Sequence, residues 1–262
     1  MNARSALFDL YGDHLRSRGG RAPVASLVRM LAPVEVAAPA VRTAISRMAR
    51  QGWLRPERLP AGPGYALTPK AVRRLDEAAA RIYRTAERDW DGRWHIVVTA
   101  HVRDRSTRER LRSAFGYLGF APLADSTWIG AHSTDEVDAL LDSESLRAER
   151  FEAEHSGMSS DLVARTWDLS ALARAYERWL TDAESVVSGL ADNPTDEEAF
   201  AVRSHLVHEW RLFLFRDPGL PRTLLPAAWP GDKAAAYFDS ESSRLLPAAR
   251  RFVDTCLEDP RG

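Results

Sequence analysis

The side chains Arg42, Thr43, Ser46, Arg47 and Arg50 fall within one short stretch and are of the types that read nucleic acid. A guanidinium can present two parallel donors to O6 and N7 of guanine, and a short hydroxyl can reach a base edge or a phosphate. Arg18, Arg21, Arg55 and Arg58 lie in the same part of the chain. They can neutralise phosphates and add affinity without sequence information. A second group sits near the C-terminus, where His205 and His208 share a helix face at i and i+3 with Glu209 beside them. That order matches neither HExxH nor HxxEH, so the pair reads either as polar residues in a helix interface or as two metal ligands. Arg211, Arg216 and Arg222 surround the turn Asp217-Pro218-Gly219. They can pair with carboxylates or hold the phosphates of a ligand. Trp167, Tyr176, Trp179, Trp210, Trp229 and Tyr237 can fill a core or line an apolar ligand pocket. No nucleophile elbow, phosphate loop or dinucleotide fingerprint occurs.

The elements that must carry these residues are legible in part. A helix is expected over residues 4–16, with Ala6, Leu7, Leu10 and Leu15 apolar, Asp9 and Asp13 facing out, and Gly19-Gly20 ending it. A second fits Val24 to Leu31, stopped by Pro33. A third begins near Pro39 and runs to Gln51, with Val41, Ile45 and Met48 as its buried stripe and Gly52 at its end. Two strands at Trp53-Leu54-Arg55 and Tyr65-Ala66-Leu67 flank the turn-rich Pro60 to Gly64, and Thr68-Pro69 opens another helix. Helices followed by a ribbon make a winged helix-turn-helix whose third helix enters the major groove. The wing tip holds Pro60, Gly62, Pro63 and Gly64, so its arginines lie at its base.

From Arg93 the pattern reads βαββαβ: a strand at Trp94 to Ala100, a helix at Ser106 to Leu118, short strands at Phe120 to Leu123 and Ser126 to Gly130, a helix at Thr134 to Leu141, and a last strand at Leu146 to Glu154. That order is ferredoxin-like. Beyond it come helices from Trp167 to Ser188, from a Thr195/Glu198 capping box to Asp217, and from Asp232 to Leu257 with a break at Pro247. The fold class expected is therefore multidomain α+β, with domains at 1–88, 89–160 and 161–262.

A chain of 262 residues, 45% apolar and 28% charged, can bury a core without disulfides or metals. Its lone Cys256, in a helical pattern, excludes a disulfide framework and reads as packing. No apolar run of 18 residues and no signal-peptide core occurs, so a cytoplasmic protein with no membrane partner is expected. The net charge of −1 conceals a division. Residues 1–75 hold 13 Lys+Arg against 4 Asp+Glu, a net of +9, and the remainder hold 23 against 33, a net of −10. A basic end on an acidic body calls for a polyanion at that end.

Several motifs are specific. Ser5 to Asp13, Arg18-Gly19-Gly20, Ala40 to Met48 and Gln51-Gly52-Trp53-Leu54 resemble the PaaX family of bacterial transcriptional repressors. So do Trp128-Ile129, Arg216-Asp217-Pro218, Leu220-Pro221, Leu224-Leu225-Pro226, Trp229-Pro230-Gly231 and His208-Glu209-Trp210-Arg211. The resemblance implies a non-enzymatic homodimer on palindromic double-stranded operator DNA, released by an acyl-CoA, phenylacetyl-CoA, to control aromatic acid catabolism. It implies no cofactor. It also makes the central segment similar to the small endonuclease subunit of CRISPR adaptation complexes. Those enzymes hold a metal on an aspartate after the first strand, where this chain has His101, with Asp104 following. A lone imidazole is a poor magnesium site, so a structural or dimerising role outweighs a metal-dependent nuclease. A protein-interaction adaptor without DNA binding is the other alternative. DNA contacts are thus expected from Arg18, Arg21, Arg42, Thr43, Ser46, Arg47, Arg50 and Arg58. Effector contacts are expected from His205, His208, Trp210, Arg211, Arg216 and Trp229.

Overall fold

A computed structural model describes residues 1–83 and 90–259, and the expected boundary at 88/89 lies outside them. The chain forms a mixed α+β structure with ten helices and two antiparallel sheets among the described residues. None of the helices is long and apolar enough to cross a membrane. Two compact units emerge, and neither is continuous in sequence. One comprises Met1–Ala86, Arg178–Arg211 and Lys233–Gly262, and the other Glu87–Glu177 and Leu212–Asp232.

In the first unit α1 spans Ala3–Leu10, started by Asn2, whose side chain accepts from the Ser5 amide at 2.9 Å. The expected single helix over 4–16 is instead three pieces, because the chain widens into a π-type turn at Tyr11–Leu15 and then tightens over Arg16–Arg18. A three-residue strand β1 (Arg21–Pro23), α2 (Val24–Leu31), α3 (Ala38–Arg50), β2 (Leu54–Leu59), β3 (Gly62–Leu67) and α4 (Pro69–Ile82) follow. The ribbon is thus three-stranded, in the order β1-β3-β2. Gly64 allows this pairing, since a Cβ there would lie 2.6 Å from the Ala22 carbonyl oxygen.

The second unit holds β4 (Arg93–Thr99), α5 (Arg105–Tyr117), β5 (Ala121–Ala124), β6 (Thr127–Gly130), α6 (Glu136–Ser143) and β7 (Ala148–Glu154). All pairings are antiparallel, in the order β5-β6-β4-β7. Val97, Leu111, Phe115, Trp128 and Val137 pack one face of this sheet against the helices. The other face carries Trp94 and Ile129 onto α7 (Ser159–Thr166), a helix the sequence pattern does not announce. The remaining helices are α8 (Leu169–Ser188), α9 (Asp196–Trp210) and α10 (Pro230–Glu258). The Thr195/Glu198 capping box forms as expected. Pro247 sits inside α10 without ending it.

The core of the first unit joins distant segments. Leu7, Leu27, Ile45 and Met48 share one cluster with Phe200 of α9 and with Phe252, Val253 and Cys256 of α10. At about 1.5–3 kcal/mol for each large apolar side chain buried, this shared cluster ties α1–α3 to the C-terminal helices.

Candidate nucleic-acid interface and a buried charge cluster

The exposed face of α3 follows from its buried one. Val41 and Met48 are fully buried, and Ala44 and Ile45 nearly so. This turns Arg42, Thr43, Ser46, Arg47 and Arg50 outward, and all five are exposed. Pro39 sits in the first turn, where its missing N–H costs no helical hydrogen bond. Thr43 Oγ1 donates to the Pro39 carbonyl at 2.9 Å and Ser46 Oγ to that of Arg42 at 3.1 Å. Each hydroxyl oxygen keeps its acceptor capacity for an external donor. Arg42, Arg47 and Arg50 meet no carboxylate among the described residues.

The other basic residues expected to meet DNA are placed differently. Arg58 is exposed on β2 without a carboxylate partner among the described residues. Arg21 is exposed but lies 3.0 Å from Glu57, which also takes Arg55 at 3.0 Å. Arg18 is committed to the fold. Its guanidinium grips Asp254 of α10 at 2.7 and 3.0 Å and donates to the His14 carbonyl at 2.9 Å.

A second concentration of charge lies inside the same unit, on residues expected to face solvent. Asp9 is only 8% exposed, and the side chain of Asp13 only 9%. Basic side chains from α9 and its end meet them. Asp9 faces His208 Nδ1 at 2.7 Å and Arg211 Nε at 2.8 Å. Asp13 pairs with Arg203 and accepts from the Tyr83 hydroxyl at 2.5 Å. Arg203, itself buried, also donates through Nε to the Ser242 carbonyl at 2.8 Å. Burial lowers its pKa to about 10, which leaves it charged at neutral pH. His14 is buried beside them, and burial together with Arg18 and Arg250 lowers its pKa to about 3, so it is neutral. Its Nε2 lies 3.1 Å from Asp13, but the alignment is not that of a hydrogen bond. A small cavity lined by Asp9, Asp13, His14, Leu31, Phe200 and Val207 adjoins the cluster.

The residues expected to hold an effector do not form one set. His205 is exposed, whereas His208 turns onto Asp9, and no group of His, Cys, Asp or Glu suited to a metal exists among the described residues. Trp210 donates from its indole N–H to the Ile82 carbonyl at 3.2 Å and stacks on Phe238 with centroids 4.8 Å apart. Arg211 is held by Asp9. Arg216 and Trp229 belong to the second unit, where Arg216 is exposed and Trp229 packs edge-on against Tyr176 at 6.1 Å. Arg222 is occupied by Asp232 at 2.8 Å and by the carbonyls of Leu225, Pro226 and Ala227. Trp167 stacks on Trp94 and Trp179 meets Trp210 edge-on, both as packing contacts.

Asp104 has a structural task. Its carboxylate accepts from the Thr107 amide and the Ser106 and Thr107 hydroxyls, each at 2.7 Å, and so caps α5. Those hydrogen bonds hold its pKa near 2. Cys256 is fully buried, and burial pushes its thiol up to about 11, well away from a nucleophile's range.

Comparison with known proteins agrees with this architecture. Three family models match in sequence: PaaX-like protein over residues 2–71, PaaX protein central Cas2-like domain over 87–163, and PaaX-like protein C-terminal domain over 167–255. The transcriptional repressor PaaX of Escherichia coli (strain K12) is 31% identical across 97% of this chain and 83% of that protein. The solved structure of uncharacterized protein Rv0674 from Mycobacterium tuberculosis is similar with a TM-score of 0.64 and 25% identity, over 97% of this chain and 99% of that one. The class is therefore that of a non-enzymatic transcription regulator. The chain belongs to the PaaX-like family.

Proposed function

We propose that the chain is a repressor that binds palindromic operator DNA as a homodimer and is released by an acyl-CoA. The observation that carries the DNA half is the α3 face, where exposed arginines without carboxylate partners among the described residues alternate with hydroxyls. The elements of residues 1–83 form a winged helix-turn-helix, with α3 as the recognition helix and Arg58, which pairs with Pro63 beside the wing tip and not at the base expected from sequence, contacting phosphate. Arg18 and Arg21 act less directly, since both are already paired within the chain. The central βαββαβ segment, with its strand order, is ferredoxin-like. The three segments 1–88, 89–160 and 161–262 then serve DNA binding, a structural or dimerising role, and effector response.

The effector half rests on family membership. Phenylacetyl-CoA binds the DNA-free conformation better and shifts the population away from the operator. Within the effector set, Arg216 and His205 are exposed and have no side-chain partner among the described residues, which leaves them for phosphate or carbonyl oxygens. The protein acts in the cytoplasm, on genes of aromatic acid catabolism.

The test is a mobility shift with the protein and its own promoter fragment, repeated with a panel of acyl-CoA thioesters. Retardation that phenylacetyl-CoA reverses and free phenylacetate does not is the expected result. No shift at micromolar protein would leave an adaptor as the better account, and cleavage of the fragment with magnesium or manganese would make the protein a nuclease.

A further inference from the structure

The four-stranded sheet has two edges of opposite character. β5 is four residues long, contains Pro122 and is interrupted by a register shift, which are features that discourage further pairing. β7 is seven residues long, regular and, among the described residues, paired only with β4. Phe151 stands at its middle and is 53% exposed.

The outward backbone groups of β7 can be assigned. The Thr99 amide donates to the Ser126 carbonyl, on the β6 side, and the Ala100 amide donates to the Arg147 carbonyl, on the β7 side. Directly opposed residues in an antiparallel ladder alternate between hydrogen-bonded and non-bonded pairs. With Ile96 opposite Phe151 and Val98 opposite Glu149, residues 147, 149, 151 and 153 therefore spend their backbone groups on β4. Ala148, Arg150, Glu152 and Glu154 direct theirs away from the sheet, where no described strand receives them.

From this edge we infer that β7 pairs antiparallel with β7 of a second copy, about a two-fold axis at Phe151. The register follows from charge. Centred on Phe151, Arg150 stands opposite Glu152 of the second copy and Glu152 opposite its Arg150, and both pairs use the outward backbone groups. Moving the centre to Arg150 sets arginine against arginine, and moving it to Glu152 sets glutamate against glutamate. Opposite charges directly across a ladder favour a register and like charges oppose it. Among the described residues of one copy, Arg150 uses only one terminal nitrogen, on Asp138 at 2.7 Å, and Glu152 has only His95 at 3.8 Å. Both retain capacity for a partner across the axis. The Phe151 rings meet at the axis in a non-bonded pair and cover apolar area that a single copy leaves to water. The result is one continuous sheet running through both copies.

This interface deepens the dimeric repressor reading and rests on it. The full chain bearing Phe151→Cys tests it, because opposed α-carbons in a non-bonded pair lie about 4.5 Å apart, within reach of a disulfide. Oxidation is expected to convert the variant to a covalent dimer on a non-reducing gel, while Arg150→Cys, diagonal to its own copy, stays monomeric; the native thiol of Cys256 is fully buried. In sedimentation, Arg150→Glu should raise the dimer dissociation constant tenfold or more, and the double variant Arg150→Glu/Glu152→Arg should restore it. A wild-type dimer with no cross-link at position 151 and no response to Arg150→Glu overturns this interface while leaving a dimeric repressor. A protein that stays monomeric at all concentrations and on DNA overturns both.

Discussion

Two sets of arginines in the first unit share a residue type and differ in almost everything else. On α3, Arg42, Arg47 and Arg50 are exposed and meet no carboxylate among the described residues. Between the N-terminal segment and the C-terminal helices, Arg18, Arg203 and Arg211 each rest on an aspartate. An exposed guanidinium loses no hydration on folding and remains free to displace counterions from a phosphate backbone. A buried one, as Arg203 is, or a partly buried one, as Arg18 and Arg211 are, must find a carboxylate, and removing either partner then strands the other. Position relative to the apolar stripe decides which role an arginine takes: the first set lies opposite Val41, Ile45 and Met48, and Arg203 lies within the stripe of Phe200, Leu206 and Val207. The buried set also gives the family segments at the two ends of the chain a reason to fold as one body.

The sharpest way to break this contrast is to remove charge from the buried set. Arg203→Leu should cost about 3–5 kcal/mol of stability in urea unfolding, because Asp13 is left buried without its counter-charge. Adding Asp13→Leu should recover a large part of that loss, and an additive double variant would deny the pairing. A smaller effect concerns acid. His14 has a folded pKa of about 3 against an unfolded value near 6.5, so its contribution is full above pH 6.5 and falls as pH drops toward 3. One proton taken up on unfolding makes stability fall by about 1.4 kcal/mol per pH unit through that window. His14→Leu should flatten this slope in denaturation curves at pH 5 and 6, and an unchanged slope would mean that His14 is charged in the fold. The smallest effect belongs to the exposed set. Arg58→Ala should lower the slope of log affinity against log salt by about 0.9, because one phosphate is no longer neutralised. An unaltered slope would remove the wing from the interface.

Legibility in the sequence follows the range of the interactions. α3 is readable because Pro39, the apolar stripe and Gly52 are local signals, and the Thr195/Glu198 box is readable for the same reason. The role of Asp9 and Asp13 is not, since the partner of Asp13 is 190 residues away and an acidic residue at helical spacing looks solvated until its neighbour is known. The one local hint is Arg203, a charge at the spacing of buried Phe200 and Val207. β1, at three residues, is too short for a periodic pattern, and it exists because Gly64 lets its backbone approach β3. Pro247 reads as a break from its chemistry alone. The buried Leu245, Ala249, Phe252 and Val253 around it hold α10 in one piece. The effector set scatters because aromatic residues at helical spacing satisfy each other in the core, as Trp179, Trp210 and Phe238 do.

The central claim is that the exposed arginines of α3 serve DNA and not the fold. An anisotropy titration of a labelled promoter fragment with wild type and Arg47→Ala, at one fixed salt concentration and with the melting temperature of each measured alongside, tests it most directly. Arg47→Ala is expected to weaken specific binding by about 1–3 kcal/mol with an unchanged melting temperature. Equal affinity of the two proteins for the promoter would contradict it.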